Sequence, residues 1–261
     1  MRLLLLSGLL LAVGSGAATA EPSKVYSFVP DAPAVNLSWL KAGMEKAFGE
    51  AGFPVLFQPF ARLKDFDREL KSAPPDLAIL PGWYLDRPQQ EPALRPLLRA
   101  SRRGETVYRK VLIAAQDRPP GQPGQRACTV ALTPGGSEVT ELVAGLSVDG
   151  RPLEELRPSL VTVPKDSDAL FAVTLGQVDL ALVSEDNLTW LLGVNPRLAA
   201  RVQRLASSPP LPLPVLCAVA GRLAPEQQAR LADILSRMHD APWRQPFVEG
   251  LQIDDWQKIL P

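Results

Sequence analysis

The turn Pro134-Gly135-Gly136-Ser137 is the segment of this chain best suited to hold a charged guest. It opens a helical pattern, so its backbone N–H groups lack intrahelical partners and the helix dipole adds positive potential. Both effects favour an anion. Ser137 adds a hydroxyl, and Glu138 follows at once. Aimed inward, Glu138 would repel an anion; aimed outward, it complements the dipole while Ser137 caps the helix. Trp83 and Tyr84 follow an apolar run, and Trp83 reads equally as one wall of a site or as part of an aromatic pair closing a sheet end. Ser167 and Asp168 begin another helix, where Asp168 reads first as a cap. Ser184 and Glu185 end a second apolar run and suit an amine or a hydroxyl. Glu185 with Asp186 reads equally as the acidic first turn of a solvated helix.

Other chemistries find little support. The chain has one histidine, His239, near the end of a C-terminal amphipathic segment. No Ser-His-Asp set and no His-rich zinc set is buildable from it. No Gly-rich P-loop is present, and the paired acids Glu154-Glu155 and Asp254-Asp255 lie in polar segments. No catalytic set, no metal and no cofactor is expected. With 28 basic and 28 acidic residues and no long Lys/Arg run, nucleic acid is not an expected partner.

The elements that position these residues come in two matching sets. The phrase Asp76-Leu77-Ala78-Ile79-Leu80 returns as Asp179-Leu180-Ala181-Leu182-Val183, about a hundred residues later. Each copy follows a helical stretch and a tight turn, and each apolar run suits a strand covered on both faces. Asp76 and Asp179 begin these strands, so they are expected at the end away from any ligand. Around the first copy the pattern is β-α-β-α-β: Lys24 to Val29, a helix capped by Asn36 with Leu37, Leu40, Met44 and Phe48 as its stripe, Val55-Leu56-Phe57, and a helix marked by Leu63, Phe66 and Leu70. Parallel pairing follows from such a unit. A strand over Tyr108 to Ala115 leads to a second unit, with strands Cys128 to Leu132 and Leu160 to Val163. The Pro-rich run from Ser207 to Pro214 reads as an extended return crossover, followed by a strand from Val215 to Val219. A long amphipathic segment with Leu231, Ile234, Leu235 and Met238 follows, and Trp243, Phe247 and Trp256 are expected to dock in a closing helix. Ligands bind beyond the carboxyl ends of strands in open α/β sheets. Two such ends point to two similar lobes facing one cleft.

The N-terminus reads as a secretory signal peptide over residues 1–20. Arg2 supplies the charge, Leu3 to Val13 the apolar core, and Ala18-Thr19-Ala20 the small-residue cleavage pattern. An exported protein is expected, periplasmic in a Gram-negative host. Cys128 and Cys217 read either as a disulfide or as two small buried strand residues.

This order of elements resembles the two-lobed periplasmic binding proteins of ABC transporters, and within them the phosphonate/phosphite-binding (PhnD-like) branch. The residues that carry the likeness are Val29-Pro30, Leu80-Pro81-Gly82-Trp83-Tyr84, Tyr108 to Ile113, Thr133 to Ser137, Asp168-Ala169 before Val178-Asp179, and Ser208-Pro209-Pro210-Leu211-Pro212. The resemblance implies a type II two-lobed α/β fold, each lobe a mostly parallel sheet flanked by helices. Residues 21–113 form the first part of lobe 1, 114–206 form lobe 2, and 207–261 form the return and the rest of lobe 1. It implies capture of a small polar or anionic ligand, phosphonate-like, for an inner-membrane ABC permease, by a monomer whose lobes close on it. The alternative is a sensor or accessory protein of the same fold. The resemblance places Tyr84 as a ligand contact, with Trp83, Gly135, Gly136, Ser137, Ser167, Asp168 and Ser184 as further candidates. Where phosphonate binders carry Ser-Thr-Ser, this chain reads Gly136, Ser137 and Glu138, and the usual histidine near Ser167 is missing.

Overall fold

The computed structural model describes residues 21–32, 36–87, 92–118, 128–135 and 138–259. The expected signal peptide and the candidates Gly136 and Ser137 lie outside the described residues.

The first part of the chain builds one face-covered sheet. Strand β1 (Ser23–Ser27) leads to helix α1 (Leu37–Glu50), β2 (Val55–Pro59), α2 (Leu63–Ser72) and β3 (Leu77–Leu80). Asn36 caps α1 as its sequence position predicts: its Oδ1 accepts from the N–H of Ser38 at 2.8 Å and of Trp39 at 3.2 Å. Leu40, Met44 and Phe48 turn inward from α1, and Phe66 and Leu70 from α2. β1 pairs in parallel with both β2 and β3. A short 3-10 turn over Gly82–Asp86 then leads to β4 (Leu94–Ser101).

The chain crosses to the second lobe through β5 (Val107–Tyr108) and enters it as β6 (Lys110–Ala115). There follow β7 (Thr129–Leu132), α3 (Glu138–Ala144), the hairpin β8 (Ser147–Val148) and β9 (Arg151–Pro152), β10 (Ser159–Thr162) and α4 (Asp166–Thr174). β11 (Leu180–Ser184), α5 (Glu185–Val194), α6 (Pro196–Ala199) and β12 (Val202–Ser207) complete it. The return runs through β13 (Leu211–Pro212) into β14 (Val215–Val219), α7 (Pro225–Leu235), α8 (Gln245–Leu251) and β15 (Asp255–Lys258).

The larger sheet has six strands in the order β15-β4-β14-β3-β1-β2, and the smaller has five in the order β10-β7-β11-β6-β12. Within each, a parallel trio meets a strand that has crossed over: β14 runs antiparallel to β3, and β6 antiparallel to β11. The crossing segments β5 and β13 pair with each other, a two-stranded tie between the lobes. The two crossings thus exchange one strand between sheets, and this gives a mixed α/β fold of two lobes with helices flanking each sheet.

Several expectations shift. The sheets, expected to be mostly parallel, are mixed, because each parallel trio is extended by strands in antiparallel pairing. The strand expected from Tyr108 onward is two strands, and Lys110–Ile113, expected in lobe 1, belongs to the second sheet because β6 pairs there along its whole length. Ser207, expected in the return, pairs with Val111 in that same sheet. Trp256 docks from the edge strand β15 rather than from a helix, and there it meets Phe247 edge-on at 6.4 Å. The cysteines do not bridge: Cys217 sits in the core of lobe 1 and Cys128 in that of lobe 2. Burial pushes the Cys217 thiol up to about 12, so it is inert at neutral pH.

Candidate functional site

The carboxyl ends of β1, β3, β7 and β11 all face the seam between the lobes. A cavity of about 380 Å³ opens there. Trp83 and Asp86 line it from lobe 1, Thr133, Pro134 and Gly135 from lobe 2, and the crossing strands contribute Tyr108 and Pro212. A second cavity of about 350 Å³ shares the Thr133–Gly135 turn as a wall, with Arg62 on its lobe 1 side. Gly135 is required by close approach: a Cβ there would come within 2.8 Å of Val139.

At the floor of the first cavity stands a buried group of charges. Asp31 enters from lobe 1, in the loop after β1. Its Oδ1 accepts from Lys110 Nζ at 2.7 Å and from the Thr133 hydroxyl, and its Oδ2 accepts from the Tyr108 hydroxyl. Lys110 Nζ also donates to Thr133 Oγ1 at 2.6 Å. The Lys110 side chain is 6% and the Asp31 side chain 13% exposed, so this ion pair is largely withdrawn from water. Burial alone would raise the Asp31 carboxyl, but the charge of Lys110 and the three hydrogen bonds outweigh it and hold it below the usual range. Burial likewise works to lower the Lys110 ammonium, yet Asp31 and Asp166 keep it above its ordinary value. Burial, with the Asp31 charge added, pushes the Tyr108 phenol well up.

Asp166 is the second acid of this group. Its Oδ2 accepts from Asn187 Nδ2 at 2.8 Å and from the Ser184 N–H at 3.0 Å. Its Oδ1 is buried without a hydrogen-bond partner. Burial raises this carboxyl to about 6, against the pull of Lys110. Asn187 also reaches across the seam: Nδ2 donates to the Asp31 carbonyl at 2.7 Å, and Oδ1 accepts from Gln252 Nε2 at 3.0 Å. Lys165 Nζ approaches the Val29 carbonyl at 3.4 Å, its ammonium lowered by burial. At the rim, Arg102 and Arg103 of lobe 1 pair with Asp186 of lobe 2.

The sequence-predicted candidates divide. Trp83 and Gly135 line the cavity. Tyr84 lies in the core of lobe 1, edge-on to Phe66 at 5.3 Å, and its hydroxyl donates to Asp67 Oδ1 at 2.7 Å. Asp67 in turn accepts from Arg87, whose guanidinium lies 4.8 Å above the Tyr84 ring. Asp168 caps α4, its Oδ2 accepting from the Lys165 N–H at 3.1 Å, and Ser167 sits beside it in the first turn. Ser184 caps α5 with its hydroxyl while its N–H donates to Asp166. Asp31, Tyr108, Lys110, Thr133, Asp166 and Asn187 escaped the sequence reading as site residues. A signal was there: Asp31 and Thr133 each follow the first strand of a β-α-β unit, the strand end where ligands bind. Asp76 and Asp179 sit at the opposite ends of β3 and β11, as expected.

Two α/β lobes tied by paired crossing strands, with a cavity and buried charge in the seam, form the architecture of a two-lobed solute-binding protein. The chain belongs to the family of periplasmic substrate-binding proteins of ABC phosphonate transporters, whose model matches residues 34–261. No curated protein matches the chain in sequence. Among solved structures, it is similar to a binding protein component of an ABC phosphonate transporter from Pseudomonas aeruginosa, with 17% identity over 91% of this chain and 82% of that one, TM-score 0.68. It is equally similar in fold to PhnD1 from Prochlorococcus marinus in complex with methylphosphonate, with 11% identity over 91% of this chain and 92% of that one, TM-score 0.68. A histidine kinase sensor domain shares the fold less closely, with 18% identity over 90% of this chain and 98% of that one, TM-score 0.56.

Proposed function

We propose that the protein captures a small solute bearing an oxyanion, phosphonate-like in chemistry, between its lobes and delivers it to an inner-membrane ABC permease. The observation that carries this reading is the cavity between Trp83 and the Thr133–Gly135 turn, with Lys110 in its wall. An ammonium, a hydroxyl and a tight turn on one side, faced by an aromatic ring on the other, suit a small molecule with an anionic head and a short apolar part. Trp83, Gly135, Gly136 and Ser137 are the proposed contacts from the expected set. Tyr84, Ser167, Asp168 and Ser184 act through the elements they brace. The working form is a monomer, released to the periplasm by cleavage after Ala20, and it carries out no reaction.

A ligand-sensing accessory role is the second reading. It draws on one observation: the Lys110, Thr133 and Tyr108 donors at the cavity floor are already engaged by Asp31.

A thermal-shift screen of the mature protein separates these readings. The panel holds methylphosphonate, phosphite, phosphate, sulfonates, amino acids and small carboxylates. A solute at 100 times its dissociation constant adds about 2.7 kcal/mol of stability. A shift with phosphorus oxyanions supports capture for transport. A shift with another class keeps capture and changes the solute. No shift across the panel removes the capture reading.

A further inference from the structure

Three donors, two from lobe 2 and one from a crossing strand, converge on one lobe 1 carboxylate at the cavity floor. Lys110 Nζ and the Thr133 hydroxyl reach Asp31 Oδ1, and the Tyr108 hydroxyl reaches Oδ2. All four residues line the same cavity. A cation and two hydroxyls converging on a pair of oxygens is the donor arrangement that any small oxyanion requires. We propose that Lys110, Thr133 and Tyr108 form an oxyanion cradle that the chain's own Asp31 carboxylate occupies, so that Asp31 sets which solutes enter. This rests on the reading of the seam as the solute site, and deepens it.

First, the donors are committed. A guest anion in the cavity gains the Lys110 charge only by displacing Asp31 or by sharing it, and two anions sharing one buried ammonium repel each other. Second, displacement is costly in this setting. The pair is largely withdrawn from water, and separating it leaves a buried charge without its counter-ion unless the guest replaces the lost partner. Third, Asp31 is attached to lobe 1 whereas Lys110 and Thr133 belong to lobe 2. Its further link, from Asn187 Nδ2 to the Asp31 carbonyl at 2.7 Å, spans the same seam. The resident carboxylate therefore also draws the lobes together, and a solute that displaces it must close the seam in its place. Simple monovalent anions are poor competitors. A dianionic phosphonate or phosphate, with three oxygens to engage all three donors, is a strong one.

The test removes the resident anion. Mature Asp31→Ala and Asp31→Asn are prepared, their folding is checked by circular dichroism, and methylphosphonate, phosphate and acetate are titrated calorimetrically against them and the wild type. Asp31→Asn keeps the side chain's shape and carries the comparison should Asp31→Ala fail to fold. The expected result is phosphonate or phosphate binding at least ten times tighter in the variants than in the wild type. Lys110→Met added to either variant is expected to abolish the gain. Equal or weaker binding in the variants, including none in any protein, overturns the cradle. Tight binding by the wild type that the variants lose overturns it too, makes Asp31 a solute contact, and leaves the capture reading standing. Binding by the variants alone, with a wild type silent across the screen, upholds the cradle and removes the capture reading instead.

Discussion

Asp76 and Asp179 hold the same place in the two lobes: each carboxylate accepts the backbone N–H at the start of the neighbouring parallel strand, Lys24 at 2.7 Å and Thr129 at 2.8 Å. The return bonds match as well, from the Asp76 N–H to the Lys24 carbonyl at 2.9 Å and from the Asp179 N–H to the Thr129 carbonyl at 3.1 Å. Asp179 adds the Thr129 hydroxyl at 2.7 Å. The repeated phrase is thus a repeated clamp at the strand starts. It sets the register that carries β1, β3, β7 and β11 to the seam.

Replacing either clamp should therefore cost stability rather than binding. Asp76→Ala and Asp179→Ala are each expected to lose about 1.5–3 kcal/mol, the range for hydrogen bonds to a charged group. Because the sites lie in different lobes, the double variant should be close to additive. Urea denaturation measures this, and losses below about 0.5 kcal/mol would show that the clamps are not needed to hold register.

Tyr84→Phe removes only the hydroxyl that bonds Asp67. The ring stays packed on Phe66, so the fold should persist with a loss of roughly 1–3 kcal/mol. Solute affinity should stay within about two-fold of wild type, since this hydroxyl turns toward Asp67. A large affinity loss at unchanged stability would instead make Tyr84 a direct contact.

Asp166 should give the protein a measurable pH dependence. Its carboxyl stands at about 6 against an unfolded value of 3.8, so the folded state holds the proton more tightly. That contribution is complete below the unfolded value and is lost as pH rises through about 6. Asp31, held below the usual range, works the other way: its contribution is present above the unfolded value and lost as pH falls through the folded one. Asp166→Asn isolates the first effect. Relative to wild type, this variant should gain up to about 3 kcal/mol between pH 4 and pH 7. A flat difference across that window would mean Asp166 titrates normally.

The cysteines offer a simple control. Because Cys128 and Cys217 lie in separate cores, excess reductant should leave the melting temperature unchanged. A fall of several degrees would reveal a disulfide between them.

Much of this architecture is local and therefore legible in the chain. The Asn36 cap, the inward stripe of α1 and the wholly buried strands β3 and β11 follow from residues a few positions apart. The duplicated Asp-Leu-Ala phrase discloses two lobes before any pairing is known. Trp83 and Gly135 are readable as cavity residues because they directly follow strands.

The chemistry of the seam is another matter. Asp31 and Lys110 are 79 residues apart, and Asn187 lies 156 from the Asp31 carbonyl it bonds. A lysine at the start of a strand and an aspartate after one look ordinary until the strand exchange brings them together. Tyr84 shows the converse. Its place after β3 suits a ligand contact, yet packing against Phe66 and the charge of Asp67 turn its hydroxyl into lobe 1. The sequence alone determined the two β-α-β units, their inner strands and the Asn36 cap, since hydrophobic period and hydrogen-bonding propensity act over short range. Only the tertiary structure decided which charges share the seam, because burial and counter-charge arise from segments distant in the chain meeting across it.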